Sequence, residues 1–278
     1  MASRPTIAGV VLTLNEELNL ARALESLAWC DQLFVIDSGS TDSTPSIAQD
    51  FGASVLTHIQ SHPFLITEQR NWALLNPEVL CDWVLFLDAD ELISPPLITE
   101  IQQSIANPNG ATAFHLCPRY WFLGRWLKQT QAYPNWHPRL IRRGFATFVG
   151  GVWEQFSTEA VTSYIYTPYE HYSFSKGIDD WLIRHMRYAD RESKLISDYL
   201  LVNNPHTFAN ERLSNLRYLA ARLWPFRPLL RFVQKYFLQL GFLEGWQSLL
   251  FCLMMAFYEL IIVIKVIQAL RISKGKPL

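Results

Sequence analysis

The chain has 278 residues, 50% of them hydrophobic and 18% charged, with a formal net charge of −1. That size and apolar content can bury one sizeable core and carry an appendage; no internal repeat or low-complexity tract is present, and no nucleic-acid partner is expected. The near-neutral total hides an asymmetry: residues 212–278 hold ten Lys or Arg against two acids, a net +8, and the rest holds fourteen against twenty-three, a net −9. The four cysteines, Cys30, Cys81, Cys117 and Cys252, fit neither a zinc spacing nor a redox pair, so a reducing compartment is expected. Met1 to Pro5 leads straight into the first apolar run, with no signal peptide visible.

In chain order, apolar runs predict strands near 6–14, 32–37, 53–57, 82–87 and 112–117, alternating with helices near 17–28, 43–51, 66–75 and 96–105. Alternation of this kind builds an open, largely parallel sheet, whose ligands bind at the carboxyl ends of the strands. The first strand runs into Asn15-Glu16-Glu17 and the second into Asp37-Ser38-Gly39-Ser40-Thr41-Asp42, with Asp42 or Ser43 as helix N-cap and Pro45 in the first turn. The run Trp83 to Leu87 stops in Asp88-Ala89-Asp90-Glu91. An isolated Asp-x-Asp is more often an acidic surface turn than a site. Here three polar tips fall on one edge, and two carboxylates at a strand end suit a hard cation that also takes phosphate oxygens.

Thr13-Leu14-Asn15-Glu16, Asp37 to Asp42, Gln69-Arg70-Asn71 and Leu87 to Glu91 together resemble, in order, the motifs of family 2 glycosyltransferases, over about residues 5–120. The resemblance implies a GT-A fold, an α/β architecture with a mixed sheet flanked by helices, and a nucleotide-sugar donor. It implies that Asp37 recognises the base, that Thr13, Asn15 and Glu16 line the nucleoside pocket, and that Asp88 and Asp90 handle the ribose and a Mg²⁺ or Mn²⁺ ion. Arg70 is read two ways, as a contact to the diphosphate or as an ordinary surface ion pair.

From Arg119 to Gly151 aromatics mix with Arg and Gly, which suits carbohydrate stacking and a packed hairpin equally. Sugar transfer by direct displacement needs a carboxylate to take the acceptor's proton, and Glu154, in Val149-Gly150-Gly151-Val152-Trp153-Glu154-Gln155, is the candidate. A strand-edge Glu paired with Arg139 or Arg142 is the plainer reading. Within the family, the chain resembles the lipopolysaccharide inner-core glucosyltransferase subgroup, which has an Arg-Leu dipeptide matching Arg139-Leu140. That subgroup has a His-Glu pair where this chain has Trp153-Glu154, a departure that bears on the acceptor. His171 would line the acceptor cleft; His58, His62, His115, His137, His185 and His206 are read as structural or surface residues.

Residues 178–203 predict an amphipathic helix packed on the catalytic domain, and Trp224-Pro225-Phe226-Arg227-Pro228 breaks the chain after it. Between Glu244 and Lys265 the one charge is Glu259, in an apolar stretch approaching the roughly 20 residues that span a bilayer. Glu259 counts against a span. Arg222, Arg227, Arg231 and Lys235 before it, with Arg271, Lys274 and Lys276 after it, favour a helical hairpin or interfacial helix on an anionic cytoplasmic leaflet; a buried helix pair is the alternative. The expected organisation is a catalytic domain over 1–175, with a donor half 1–118 and an acceptor half 119–175, a helical segment 176–224, and membrane-associating helices 225–278. The expected activity is inverting transfer of a hexose from a UDP-sugar to a lipid-linked or lipopolysaccharide-type glycan at the cytoplasmic face of the inner membrane. Transfer to polyprenyl phosphate, using Arg139 and Arg142, and a nucleotide-sugar-binding protein without catalysis are the alternatives.

Overall fold

The computed structural model describes residues 4–61, 64–150, 154–202, 218–219 and 221–277. His62, Trp153, Asn203-Asn204-Pro205 and His206 lie outside the described residues. The chain divides into two units, one of Met1–Trp121 with Tyr133–Ser175 and one of Phe122–Ala132 with Lys176–Leu278.

The first unit is built on a seven-stranded sheet. Strand β1 (Ile7–Thr13) lies between β2 (Gln32–Asp37) and β4 (Trp83–Asp88), parallel to both, and β3 (Ser54–Thr57) continues the sheet beyond β2. On the other side β9 (His137–Arg142) runs antiparallel to β4 and to β6 (Ala113–Leu116), and β12 (Thr162–Tyr164) is parallel to β6. The sheet is therefore mixed, as expected. Strand β4 is apolar without interruption because both its faces are covered: Trp83, Leu85 and Leu87 enter one core, Val84 and Phe86 the other.

Helices α1 (Leu20–Ser26), α2 (Thr44–Asp50) and α4 (Pro95–Ala106) cover the first face through Leu20, Ala23, Leu24, Ala48, Leu97 and Ile101. Helix α3 (Ile66–Leu75) covers the second through Ala73 and Leu74. Helix α1 starts three residues later than its sequence suggests, because Asn15 takes a left-handed φ of 55° and Glu16 to Asn19 close a turn first. At α2, Ser43 occupies the cap position, but the capping oxygen is that of Asp42, which accepts from the Thr44 N–H at 3.0 Å and its hydroxyl at 2.5 Å.

A smaller sheet places β13 (Tyr169–His171) between β5 (Glu91–Leu92) and β7 (Pro118–Phe122). A two-stranded ribbon pairs β10 (Phe148–Val149) with β11 (Gln155–Phe156). The register thus carries His171 opposite Glu91, at the carboxyl edge of the large sheet.

In the second unit, β8 (Arg125–Trp126) opens a segment held by Glu244, whose carboxylate accepts from the Gln129 N–H at 2.7 Å, the Thr130 N–H at 2.9 Å and the Thr130 hydroxyl. Gly241 is required at this crossing: a Cβ there would lie 2.7 Å from the Lys235 carbonyl oxygen and 2.9 Å from Ser248 Oγ. Helix α5 (Gly177–Val202) packs its apolar side, Ala189, Ile196 and Tyr199, on Ile262 and Val266 of α7 (Gly245–Ile272). The short α6 (Arg227–Val233) folds back along α7, and Arg227 and Arg231 both bond Glu259, at 2.6 and 2.8 Å. Lys235 donates to the Thr130 carbonyl at 2.8 Å. Three of the cations expected to form the first positive flank are therefore committed inside the unit. Among the described residues, Gly241–Ile272 is one helical stretch long and apolar enough to cross a bilayer.

Candidate active site

Three polar strand ends converge because the register aligns them, with Thr13 beside Asp37 and Leu12 beside Asp88. At the β2 end Asp37 is buried, and its four acceptor positions are filled locally. One oxygen takes the Thr13 hydroxyl at 2.9 Å and the Ser40 hydroxyl at 2.5 Å; the other takes the Gly39 and Ser40 N–H groups at 3.0 and 2.8 Å. Gly39 has a φ of 95°, which this tight turn needs. The Asn15 N–H donates to Ser40 Oγ at 2.8 Å and the Asn15 side-chain oxygen accepts the Thr41 N–H at 2.8 Å. The Glu16 N–H donates to the Thr44 hydroxyl at 2.7 Å, and the Glu16 carboxylate accepts from the Asn19 side chain at 2.9 Å. In this structure, then, Thr13, Asn15, Glu16 and Asp37 are first of all the framework that joins the β1 and β2 ends.

Helix α3 turns polar side chains inward, each to a different target. Gln69 donates to Ser38 Oγ at 3.2 Å and to the His58 carbonyl at 3.1 Å. Asn71 clamps the Phe148 backbone, accepting its N–H and donating to its carbonyl, both at 2.8 Å. Between them Arg70 is fully buried, its guanidinium 5.7 Å from the Phe86 ring and 5.4 Å from the Phe148 ring. It bonds Asp88 at 3.3 Å and pairs with Glu154. Burial, together with the nearby Arg139, lowers its pKa to about 10, against the pull of Asp88 and Glu91. Arg70 is thus an internal bridge between two carboxylates, which corrects the surface-pair reading.

Arg139, also buried, reaches Asp88 at 3.0 Å and Glu91 at 2.6 Å. Burial alone would raise the Asp88 pKa, but Arg139 and then Arg70 outweigh it and hold the carboxyl well below its usual range. Glu91 is pushed up by complete burial, with Arg139 offsetting part of the effect. His171 sits 3.5 Å from Asp90 and 3.4 Å from Glu91; burial disfavours its cation, yet the Asp90, Glu91 and Asp88 charges raise its pKa. His137 is the reverse case, lowered to about 3 by burial and by the adjacent Arg139 and His171.

Glu154 pairs with neither of the arginines expected for it. Arg139 is taken by Asp88 and Glu91, and Arg142 stacks on Phe145 at 4.5 Å. Arg142 also lies opposite Trp83, at the amino end of β4 and away from the site. Of the two arginines named for an acceptor phosphate, Arg139 is thus in the site but committed to carboxylates, and Arg142 lies at the far end of its strand pair. Two rings of the aromatic segment have internal partners: Trp121 donates to Glu170 at 2.5 Å, and Trp136 packs edge-on against Tyr164 and Tyr166.

Asp88, Asp90, Glu91 and Glu154 thus face Arg70, Arg139 and His171, four carboxylates against two guanidinium groups and one imidazole, so that acidic groups outnumber basic ones. Among the described residues no group of three or more His, Cys, Asp or Glu forms a ready-made metal cage. The donor set instead fits a Mg²⁺-like ion, which needs one or two carboxylates and takes its other ligands from water and phosphate. Glu91 and the Arg139 network were not foreseen as part of the site; the signal for Glu91 was its place next to the apolar Leu92-Ile93 pair.

Residues 10–158 match the family model described as Glycosyl transferase family 2. An uncharacterized glycosyltransferase of Rickettsia felis is 38% identical over 107 residues, 37% of this chain and 35% of that protein. The chain thus spans about a third of the length of the first curated relatives it matches. Uncharacterized glycosyltransferase RP128 of Rickettsia prowazekii is 27% identical over 251 residues, 83% of this chain and 78% of that protein. Lipopolysaccharide core biosynthesis glycosyltransferase LpsC of Rhizobium meliloti is 26% identical over 146 residues, 52% and 53% of the two chains. Among solved structures, glucosyl-3-phosphoglycerate synthase of Mycobacterium tuberculosis in complex with Mn²⁺, UDP and glucosyl-3-phosphoglycerate is 18% identical with a TM-score of 0.47, over 64% of this chain and 75% of that one.

Proposed function

The chain belongs to glycosyl transferase family 2, and from that premise we propose that it is an inverting glycosyltransferase moving a hexose from a UDP-sugar to a hydroxyl of a lipid-linked or lipopolysaccharide-type glycan. The observation that carries the reading is the Arg70 bridge, which ties the strand-end Asp88 to Glu154 through one buried guanidinium. A donor-side and an acceptor-side carboxylate are thereby held in fixed relation, as direct displacement requires. The similarity to LpsC supports the lipopolysaccharide-type acceptor.

In this reading the base and ribose occupy the framework of Thr13, Asn15, Glu16 and Asp37, with Asp88 at the ribose. The Asp37 oxygens accept a base N–H by exchanging one of the Thr13 or Ser40 hydroxyl bonds. The acceptor oxygen attacks the anomeric carbon, its proton passes to Glu154, and the bond from that carbon to the diphosphate oxygen breaks with the electron pair leaving on the nucleotide. A Mg²⁺ or Mn²⁺ ion bound at Asp90 with Asp88 beside it would supply the charge that stabilises the leaving diphosphate. Arg70 and Arg139 keep Asp88 ionised and fixed, and His171 positions Asp90. The second unit keeps the enzyme at the cytoplasmic face of a membrane, where a lipid-linked acceptor is found.

The test is transfer of radiolabelled sugar into a lipid and lipopolysaccharide extract by wild type and Glu154→Gln. The reading predicts label in the extract with wild type and at least a hundredfold loss in the variant. Equal transfer by both would remove Glu154 as the base.

A further inference from the structure

We propose that α7 lies along the membrane surface rather than across it, with one stripe of its side chains among the acyl chains of an anionic bilayer. The proposal rests on the membrane-facing part of the reading above and deepens it. Trp246, Leu250, Leu253, Phe257, Leu260 and Ile264 are 62, 39, 50, 51, 42 and 55% exposed. Their alternating spacing of four and three residues places them in one line along the helix. The opposite line, Ser248, Cys252, Glu259, Ile262 and Val266, is buried. Of the three charges of α7, Glu259 turns to that buried side and bonds Arg227 and Arg231, Lys265 on the flank bonds Asp190 at 2.5 Å, and Arg271 lies in the last turn, so none falls in the exposed apolar line. A helix apolar on all sides yet covered on only one leaves a face that water disfavours.

The orientation follows from α5. It runs parallel to α7, with the His185 ring 5.0 Å from Tyr258 and Asp190 bonded to Lys265 further along both helices. Arg187, Asp190, Arg191, Lys194 and Asp198 of α5 are exposed. If α7 crossed the bilayer, α5 would carry these charges into hydrocarbon beside it, which is costly for each. With α7 in the surface plane, its apolar line enters the acyl boundary and the charges of α5 remain in water. Arg271, Lys274 and Lys276, exposed at the end of α7, then meet anionic headgroups, which selects a bilayer over a second copy of the chain as the occupant.

The test uses the full chain in sealed inverted membrane vesicles, with Asp50→Cys or Lys276→Cys labelled by a membrane-impermeant maleimide and counted over the parent chain. In-plane placement predicts that both sites label from the same side; protection of Lys276→Cys where Asp50→Cys labels means a crossing and overturns the proposal. In parallel, Leu253→Glu/Leu260→Glu is sedimented with phosphatidylcholine vesicles containing phosphatidylglycerol, with at least a tenfold fall in the bound fraction expected. Binding equal to wild type, or a detergent-stable dimer dissolved by this variant without loss of vesicle binding, overturns it. Nucleotide release in detergent is read separately: its absence in the parent chain bears on the glycosyltransferase reading and leaves the labelling result standing.

Discussion

Replacing Arg70 separates the two roles that have been considered for it. The side chain is 1% exposed and bonds Asp88, Glu154 and the Pro138 carbonyl, while its Nε has no partner. Breaking a fully buried pair costs about 3–5 kcal/mol. The Asp88 side chain is 36% exposed, so its share is screened toward the surface-pair range of about 0–1 kcal/mol, whereas Glu154 at 15% keeps most of the larger cost. Removing a guanidinium whose Nε is unsatisfied returns part of this. Arg70→Gln should therefore lose about 2–4 kcal/mol of stability, a fall of about 5–15 °C in Tm at this chain size. Arg70→Lys, which keeps the charge but not the fork, should lose roughly half as much. Thermal unfolding by near-ultraviolet circular dichroism, with donor titration by calorimetry and single-turnover rates, reads all three quantities. The bridge reading predicts a rate at least a hundredfold lower in Arg70→Gln with donor affinity changed less than about fivefold, because the guanidinium is already committed to two carboxylates. A variant of wild-type stability whose defect lies wholly in donor affinity would refute the bridge and restore Arg70 to the diphosphate.

Glu259→Gln leaves the buried Arg227 and the one-third exposed Arg231 without their carboxylate and should destabilise the second unit by about 2–4 kcal/mol, the Arg231 share being screened by solvent, whereas Leu260→Gln, one residue on and outward-facing, should be within about 1 kcal/mol in detergent; denaturant titration compares them. Gly241→Ala forces a Cβ against the Lys235 carbonyl oxygen and should cost about 1–3 kcal/mol, read in the same experiment. Burial pushes the His137 pKa down to about 3 in the folded chain, against about 6.5 for a free histidine, so between these values the unfolded chain binds the proton that the folded chain refuses. Stability of the first unit should thus rise with pH from about 3 to 6.5, and His137→Phe should flatten that slope in urea titrations at stepped pH.

Much of the fold was legible because it rests on backbone periodicity. The uninterrupted Trp83 to Leu87 run, the small polar residues after Asp37 and the alternation with helices all specify a doubly covered strand order, and the structure has it. The strand tips of the site follow from the same register. What periodicity does not carry is which polar side chain turns inward. Helix α3 buries Thr67, Gln69 and Arg70 with Ala73 and Leu74, so a hydropathy reading places Arg70 on the surface. The available sign was its position three and four residues before that apolar pair. Partners distant in sequence were equally hidden. Glu259 looks like a flaw in an apolar helix until α6 brings two arginines to it, and α5 lends its apolar stripe to α7 although its charges suit any surface. Departure from simple hydropathy marks the places where a polar network fixes one arrangement.

The central claim is donor chemistry at the Asp88–Asp90 strand end with Glu154 as base. The most direct measurement is nucleotide release by detergent-solubilised protein across UDP-, GDP- and dTDP-sugars with Mg²⁺ or Mn²⁺, comparing wild type, Asp90→Ala and Glu154→Gln with acceptor extract present. The account predicts metal-dependent release from a UDP-hexose, lost in both variants. Release that needs no divalent ion and survives Asp90→Ala would contradict it.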